Sequence, residues 1–303
     1  MVGGTQFKKL PAEDKVFVAV IYIVLGLISF TMLYPFWNSL VLSFNLSGDT
    51  AVGGVTFWPR AFTLENYRFV FQNPRIPQAF LITILRTVAG TTGGIAVTSL
   101  LAYALSKREL RFRNTYMVIC VITMYFHGGL IPRYMVLRAL GLFNTFWVMV
   151  IPVMVNVFYM IIFRSFFRAM PASLEESAQL DGAGYYTQFL KIVVPVSQPV
   201  FAALILFVAV FHWNQWFDAA IFIQRRDLVP IQALLRQIIH TNAASQLAAE
   251  IGGQAADQIR QNLISTRALQ MATMMVATIP IILVYPFLQR YFVAGIMIGS
   301  LKE

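Results

Sequence analysis

The sequence predicts an all-α membrane protein with six transmembrane helices. Three observations carry this reading. Hydrophobic residues fill 58% of the 303 positions and charged residues only 12%, whereas soluble domains carry about 25% charge. Mean hydropathy is +0.68. Six charge-free runs occur, at 16–48, 87–106, 114–132, 139–163, 192–217 and 268–289, and about 20 mostly apolar residues cross a bilayer core as a helix. Backbone groups in lipid must be satisfied internally, and runs without strict alternation mean helices rather than barrel strands.

Taken in order, the helices are expected at about 17–42, 78–105, 114–131, 143–163, 193–222 and 268–289. The first has an apolar core longer than the 7–15 residues of a signal peptide, with no small-residue cleavage site after it, so it is retained. The loop 46–77 holds Gly48, Gly53, Gly54, Pro59, Pro74 and Pro77 and reads as irregular. The lone Cys120 falls in the third helix as a small buried hydrophobe, and no disulfide framework is possible. The loop 224–267 reads as two helices broken at Gly252-Gly253.

Six passes put both termini on one side. The short loop 107–113 carries Lys107, Arg108, Arg111 and Arg113, and short basic loops stay cytoplasmic. The termini and the 164–191 loop then face the cytoplasm, and 46–77 and 224–267 face outward. Arg133 and Arg138, on a short outer loop, run against this assignment. The net charge of +10 comes with no groove-reading motif, so nucleic acid is not an expected partner.

Between the fourth and fifth helices lies the segment 171–191, which includes EESAQLDGAGYYTQFLK. Ser173 with Glu176 three residues later is a capping box, predicting a helix from Leu174. Gly182 and Gly184 end it, and a second short helix over 185–191 leads toward Pro195. A helix this short is not stable alone in water, so its apolar side, Leu174 and Ala178, needs a surface to pack on. Interfacial helices carry Lys or Arg on their polar face. From 169 to 190 there are Glu175, Glu176 and Asp181 and no base, which an anionic leaflet repels. A helix docking in a protein groove is the better reading.

The residues also carry a resemblance. Glu176-Ser177-Ala178, three residues, Gly182, nine residues, then Ile192-Val193-Val194-Pro195 is similar to the E-A-A-x3-G-x9-I-x-L-P loop of membrane subunits of ATP-binding-cassette importers. Ser177 replaces the first Ala, and Val194 the Leu. Asp181-Gly182-Ala183 resembles the sugar-importing branch. Tyr34-Pro35-Phe36, Glu65-Asn66-Tyr67, Ala102–Ser106, Trp213-Asn214 and Tyr291–Lys302 extend the likeness along the chain, toward permeases similar to the maltose importer's second permease. Gly128–Pro132 and Tyr285–Gln289 resemble a narrower group that includes permeases for alginate and other uronate oligosaccharides.

The resemblance implies a type I importer architecture, with 1–303 as a single transmembrane permease domain in a bacterial inner membrane. It implies that Leu174, Glu175, Glu176, Ser177, Ala178, Asp181, Gly182, Ala183, Ile192 and Pro195 form the ATPase-coupling segment. Glu176 would meet a basic group of the ATPase, and Gly182 would supply a bend that a Cβ opposes. Residues 294–303 would also reach the ATPase pair, and part of 224–267 would touch an extracytoplasmic solute-binding protein. A second, homologous permease would complete the path as a heterodimer. Two ATPase subunits would bind the ATP and Mg, with membrane lipid around the assembly and an oligosaccharide as cargo. Alternating access would follow from rigid-body movement of the docked helices, driven by ATP's differential affinity for two states.

Other chemistry is poorly represented. The phosphate-cradling G-x4-G-K-[ST] pattern is absent, so no ATP or other cofactor is expected on this chain. Only His127, His212 and His240 occur, without metal-ligand spacing, so no metal site and no enzyme is expected. The substrate path has candidates by polarity alone. Arg86 lies about 12 Å inside the outer end of its helix; it either snorkels outward or faces the cavity to meet an anionic sugar. Asn156 sits in the fourth helix, where an interhelical hydrogen bond is the commoner role. His212, Trp213, Asn214 and Trp216 mix rings with polar groups, as a sugar route requires and as a membrane interface also provides. A secondary carrier or channel is the rival class, but carriers usually bury carboxylates for ion coupling, and none is evident within a helix core; Asp218 is near an end.

Overall fold

A computed structural model describes residues 11–239 and 267–283, and the described chain is helical, with one isolated bridge between Asn45 and Phe62. The tail 294–303, His240 and the Gly252-Gly253 break lie outside the described residues. The backbone divides into two compact units, 11–72 with 239 and 267–276, and 73–238 with 277–283.

In the first unit, α1 (Ala12–Ser43) is a 32-residue helix, matching the expected first span. Its apolar side chains from Val16 to Trp37 are largely exposed, the condition of a helix whose solvent is lipid. The following loop is more ordered than its glycines and prolines suggest. It forms α2 (Ser47–Val52) and α3 (Glu65–Gln72). Buried Asn66 donates to the Ser43 and Asn45 carbonyls, both at 2.9 Å, and so satisfies the backbone where α1 ends.

The second unit is organised by α4 (Arg75–Ser106), another 32-residue helix. It packs against α7 (Val157–Arg168) and α10 (Gln198–Asn214). Ile95, Ala102, Leu105, Met160, Phe163, Val193 and Leu204 form the core between them. Small residues let α4 approach its neighbours closely, as is usual in membrane helix packing. A Cβ on Gly90 would lie 2.3 Å from His212 Nε2, and one on Gly93 would lie 2.7 Å from Met154 Cε.

Three expected spans prove to be broken. The third, predicted over 114–131, ends early: α5 covers Arg113–Tyr125, and α6 (Leu130–Ala139) departs at 115°. Gly129, at φ 83°, occupies the left-handed region where a side chain is disfavoured and makes this corner. The fourth begins as 3-10 turns at Phe146–Met149 and Ile151–Val153 before α7, with a 47° bend. The fifth starts earlier than predicted. A helical stretch over Tyr185–Val196, π-wound at Phe189–Val193, meets α10 at 86°. It then stops at Asn214, and α11 (Phe217–Phe222) follows separately. Only α1 and α4 are individually long and apolar enough to cross a membrane among the described residues. Residues 231–239 form α12, and Arg267–Leu283 form α13, a shorter apolar helix lying on the predicted sixth span.

Candidate functional site

The acidic segment 171–191 is built from its glycine outward. Helix α8 runs Ala172–Leu180, two residues earlier than the capping-box reading placed it. Pro171 occupies the N-cap and no side chain caps the end. Ser177 Oγ instead donates to the Ser173 carbonyl at 2.8 Å, so the reciprocal box does not form. Pro171 explains the earlier start: its fixed φ enters a helix readily and it has no N–H to satisfy.

The other end meets expectation. Gly182 has φ 79°. Its N–H donates to the Gln179 carbonyl at 3.0 Å, and the Ala183 N–H donates to Ala178 at 2.9 Å. Together these bonds make a Schellman closure, which needs a left-handed residue at that position. Gly184 plays a different part, as the N-cap of α9 (Tyr185–Gln188).

The three acids of this segment divide. Glu175 Oε2 accepts from Lys107 Nζ at 2.5 Å, and Lys107 also lies over the Tyr103 ring, 4.3 Å from its centroid. Burial pulls the Lys107 ammonium down, but the bonds to Glu175 and Tyr103 outweigh it and hold the group above its ordinary value. Glu176 and Asp181 are exposed and have no ion-pair partner among the described residues. Of the apolar residues, Ala178 is buried, Leu174 is 40% exposed and Leu180 is 90% exposed. The helix therefore seats one small side chain on its own chain and leaves its tip bare.

Behind it, buried Gln188 donates to the Ala183 carbonyl at 2.6 Å and receives the Tyr103 hydroxyl at 3.4 Å. Lys107, Tyr103 and Gln188 are the supports that sequence reasoning missed. Ile192 is half-buried within the π-wound stretch, and Pro195 is exposed in the short α-helical turn Val194–Val196 that follows it toward α10.

Arg86, read as snorkelling or facing a cavity, does not snorkel; it is fully buried. Its guanidinium pairs with Asp218. Nη1 donates to the Gln215 carbonyl at 2.8 Å, and Nη2 lies 3.5 Å from the Met149 carbonyl. Both carbonyls sit where helical winding stops, so their intrahelical donors are missing. Asp218, read as lying near a helix end rather than within a helix core, is itself buried and also accepts from the Ala219 N–H at 2.7 Å. One charged pair thus ties α4 to the breaks in the fourth and fifth spans. No spacing signal reveals this, because the partners are 132 residues apart.

The remaining path candidates have different partners. Asn156 is the N-cap of α7; its side chain accepts from the Tyr159 N–H at 3.1 Å. Its β-region backbone ends the 3-10 turns, and an Asn ahead of a helical run was the available signal. His212, assigned to an aromatic belt as the bland alternative, is buried against Gly90 instead. Trp213 donates to the Ala277 carbonyl at 3.2 Å. Asn214 donates back to Val210 at 3.0 Å, and Trp216 carries the Arg236 guanidinium 3.6 Å above its ring. His212 Nδ1, Thr87 Oγ1 and Thr91 Oγ1 are buried without partners. Arg86 meets the 212–216 stretch through the Gln215 carbonyl, whereas Asn156 meets α4 at Thr98, further along the same helix.

No protein-family model matches the chain. Individual relatives do. The chain is 35% identical over 290 residues to the Bacillus subtilis (strain 168) polygalacturonan/rhamnogalacturonan transport system permease protein YtcP, covering 96% of this chain and 99% of that protein. It is 36% identical over 278 residues to Protein LplC of the same organism, covering 92% of each. The lactose transport system permease protein LacG of Rhizobium radiobacter is 27% identical over 283 residues, covering 93% of this chain and 95% of that one. A chain from the crystal structure of a bacterial ABC transporter involved in import of the acidic polysaccharide alginate matches with a TM-score of 0.83 at 28% identity, over 93% of this chain and 99% of that one. With relatives this similar over nearly their whole length, and a helical fold that superposes on a solved importer chain, the chain belongs to the sugar permeases of the ATP-binding-cassette transporters.

Proposed function

We propose that this permease subunit moves an acidic oligosaccharide, and that α8 is the plug through which ATPase subunits drive it. The observation that carries the docking role is the division of labour in α8. Glu175 is held by Lys107 on the chain itself, while Glu176, Asp181 and Leu180 stand exposed on a short helix closed by Gly182. Two separate ATPase subunits bind the ATP and Mg, and a second permease completes the path. A solute-binding protein delivers cargo on the side away from α8. In this reading α1, α4, the three bent pairs each taken as one pass, and the shorter apolar helix α13 make six passes, and both termini and α8 then share the cytoplasmic side.

The choice of an acidic cargo is supported by the relatives named for alginate and for polygalacturonan/rhamnogalacturonan. Arg86 does not supply the charge for it, because Asp218 already neutralises the guanidinium. Its role in this reading is to position the broken ends of two spans.

Pull-down of the ATPase subunit by the purified chain tests the docking role. Gly182→Val and Glu176→Lys each lower capture at least tenfold while membrane insertion is retained. Wild-type capture by both variants would sink it. Transport by this chain alone in liposomes, without ATPase, would instead favour a gradient-driven carrier.

A further inference from the structure

Three arginines gather where α4, α5 and α7 meet near the coupling segment. Arg164 and Arg168 are four residues apart on α7, the spacing that places side chains on one helix face. Arg164 Nε donates to the Leu105 carbonyl at 2.9 Å, at the last turn of α4. Arg113 opens α5, which packs on α7. Arg164 feels like-charge repulsion from both Arg168 and Arg113. Among the described residues no carboxylate lies within ion-pair reach of any of the three, and Arg113 Nη1 is buried with no partner at all. Nearby Lys107, by contrast, has Glu175.

Like charges held together without a counter-ion are unfavourable. The local backbone adds to the imbalance. The first turn of α5 has no acidic residue and no side-chain cap, so its N–H groups and dipole also favour an anion. Leading away from Arg113, one face of α5 presents Tyr116, Ile119 and Ile122, all about half exposed, while Met117 and Cys120 on the other side pack on the core. A cationic corner with an apolar strip beside it matches an amphiphile with an anionic head.

We propose that Arg113, Arg164 and Arg168 hold the phosphate of an anionic phospholipid whose acyl chain lies along the exposed face of α5. Basic pockets between spans on the cytoplasmic side suit such head groups. Arg168 lies three residues before Pro171, the N-cap of α8, so the lipid would steady the root of the coupling helix. The site stands apart from the docking role: lipid retention reads one, and ATPase capture reads the other.

Native mass spectrometry of the assembled, detergent-purified transporter tests it, with phosphatidylglycerol, phosphatidylcholine and inorganic phosphate as separate additives. Wild type retains phosphatidylglycerol in preference to phosphatidylcholine. Arg113→Gln and Arg168→Gln each reduce retention about fivefold. Arg168→Lys keeps most of it, and Arg138→Gln, on α6, changes nothing. Arg168 is exposed, so its substitution does not depend on refolding a core. Three outcomes overturn the proposal: equal retention by both glutamine variants, equal retention of the two lipids, or competition by inorganic phosphate as effective as by the anionic lipid. Loss of ATPase subunits from Arg168→Gln with lipid retention unchanged would assign the arginines to a protein contact instead.

Discussion

Two acids in the same unit of this chain lead opposite lives. Asp218 is buried against a buried guanidinium, and Glu176 stands in the open on a nine-residue helix. The first is bound to its neighbours so completely that its chemistry is spent inside the fold. The second makes no ion pair among the described residues. The difference teaches where to look for function in a membrane subunit: at polar groups the fold leaves unused, rather than at every charge within a span. A gradient-driven carrier would need buried carboxylates for ion coupling, and the carboxylate that is buried, Asp218, is matched by an arginine and carries no free charge for an ion.

The comparison can be broken most sharply at the buried pair. Asp218→Ala leaves the Arg86 guanidinium uncompensated, and removing one partner of a buried pair costs about 3–5 kcal/mol. Thermal unfolding of the detergent-purified protein should fall accordingly. The double substitution Arg86→Met with Asp218→Leu should recover most of the loss. A double variant no more stable than the single would show that the carbonyls of Gln215 and Met149 depend on the guanidinium more than on charge balance.

Next comes Gly182. A left-handed conformation costs a side chain about 1–2 kcal/mol, so Gly182→Val should unwind the Schellman closure and free α8 at its C-terminal end. Hydrogen exchange at the Ala183 amide should rise while the α4–α10 core stays protected. Glu176→Lys sharpens the contrast with Asp218. An exposed substitution changes stability by about 0.5 kcal/mol or less, so unfolding should stay at the wild-type temperature even where ATPase capture fails.

The smallest effect belongs to Lys107. Its pKa is raised in the fold. The stabilisation it gives is therefore complete below the ordinary lysine value of 10.5 and is lost as pH rises through the higher folded value. A partly exposed pair contributes about 0–1 kcal/mol. A slight drop in melting temperature above pH 10.5, absent in Lys107→Met, is the expected record.

How much of this was legible depended on whether the signal was local. The long helices α1 and α4 follow from runs of apolar residues, and Gly182 follows from its place in a fixed-spacing motif. Both are properties of consecutive residues. The corner at Gly129 was written in Phe126–Gly129, yet the run 114–132 stayed apolar through it, and hydropathy cannot see a bend. Asn156 at the start of α7 was a cap hidden in the same way, since a polar residue in a greasy run reads first as an interhelical contact. The Arg86–Asp218 pair and the Gly90–His212 approach join α4 to residues after its sequence horizon, and only tertiary packing brings them together. Leu180 was not among the apolar residues read as needing a surface to pack on, and its exposure in the structure adds to the bare surface a partner would need.

The absence of a side chain at residue 90 also makes two positions a single unit of inheritance. The imidazole at 212 fills the hollow that a methyl would occupy. A descendant that acquires alanine at 90 must therefore accept something smaller than histidine at 212, or prise two rods of its scaffold apart. In engineering terms, the two sites should be randomised jointly and never one at a time.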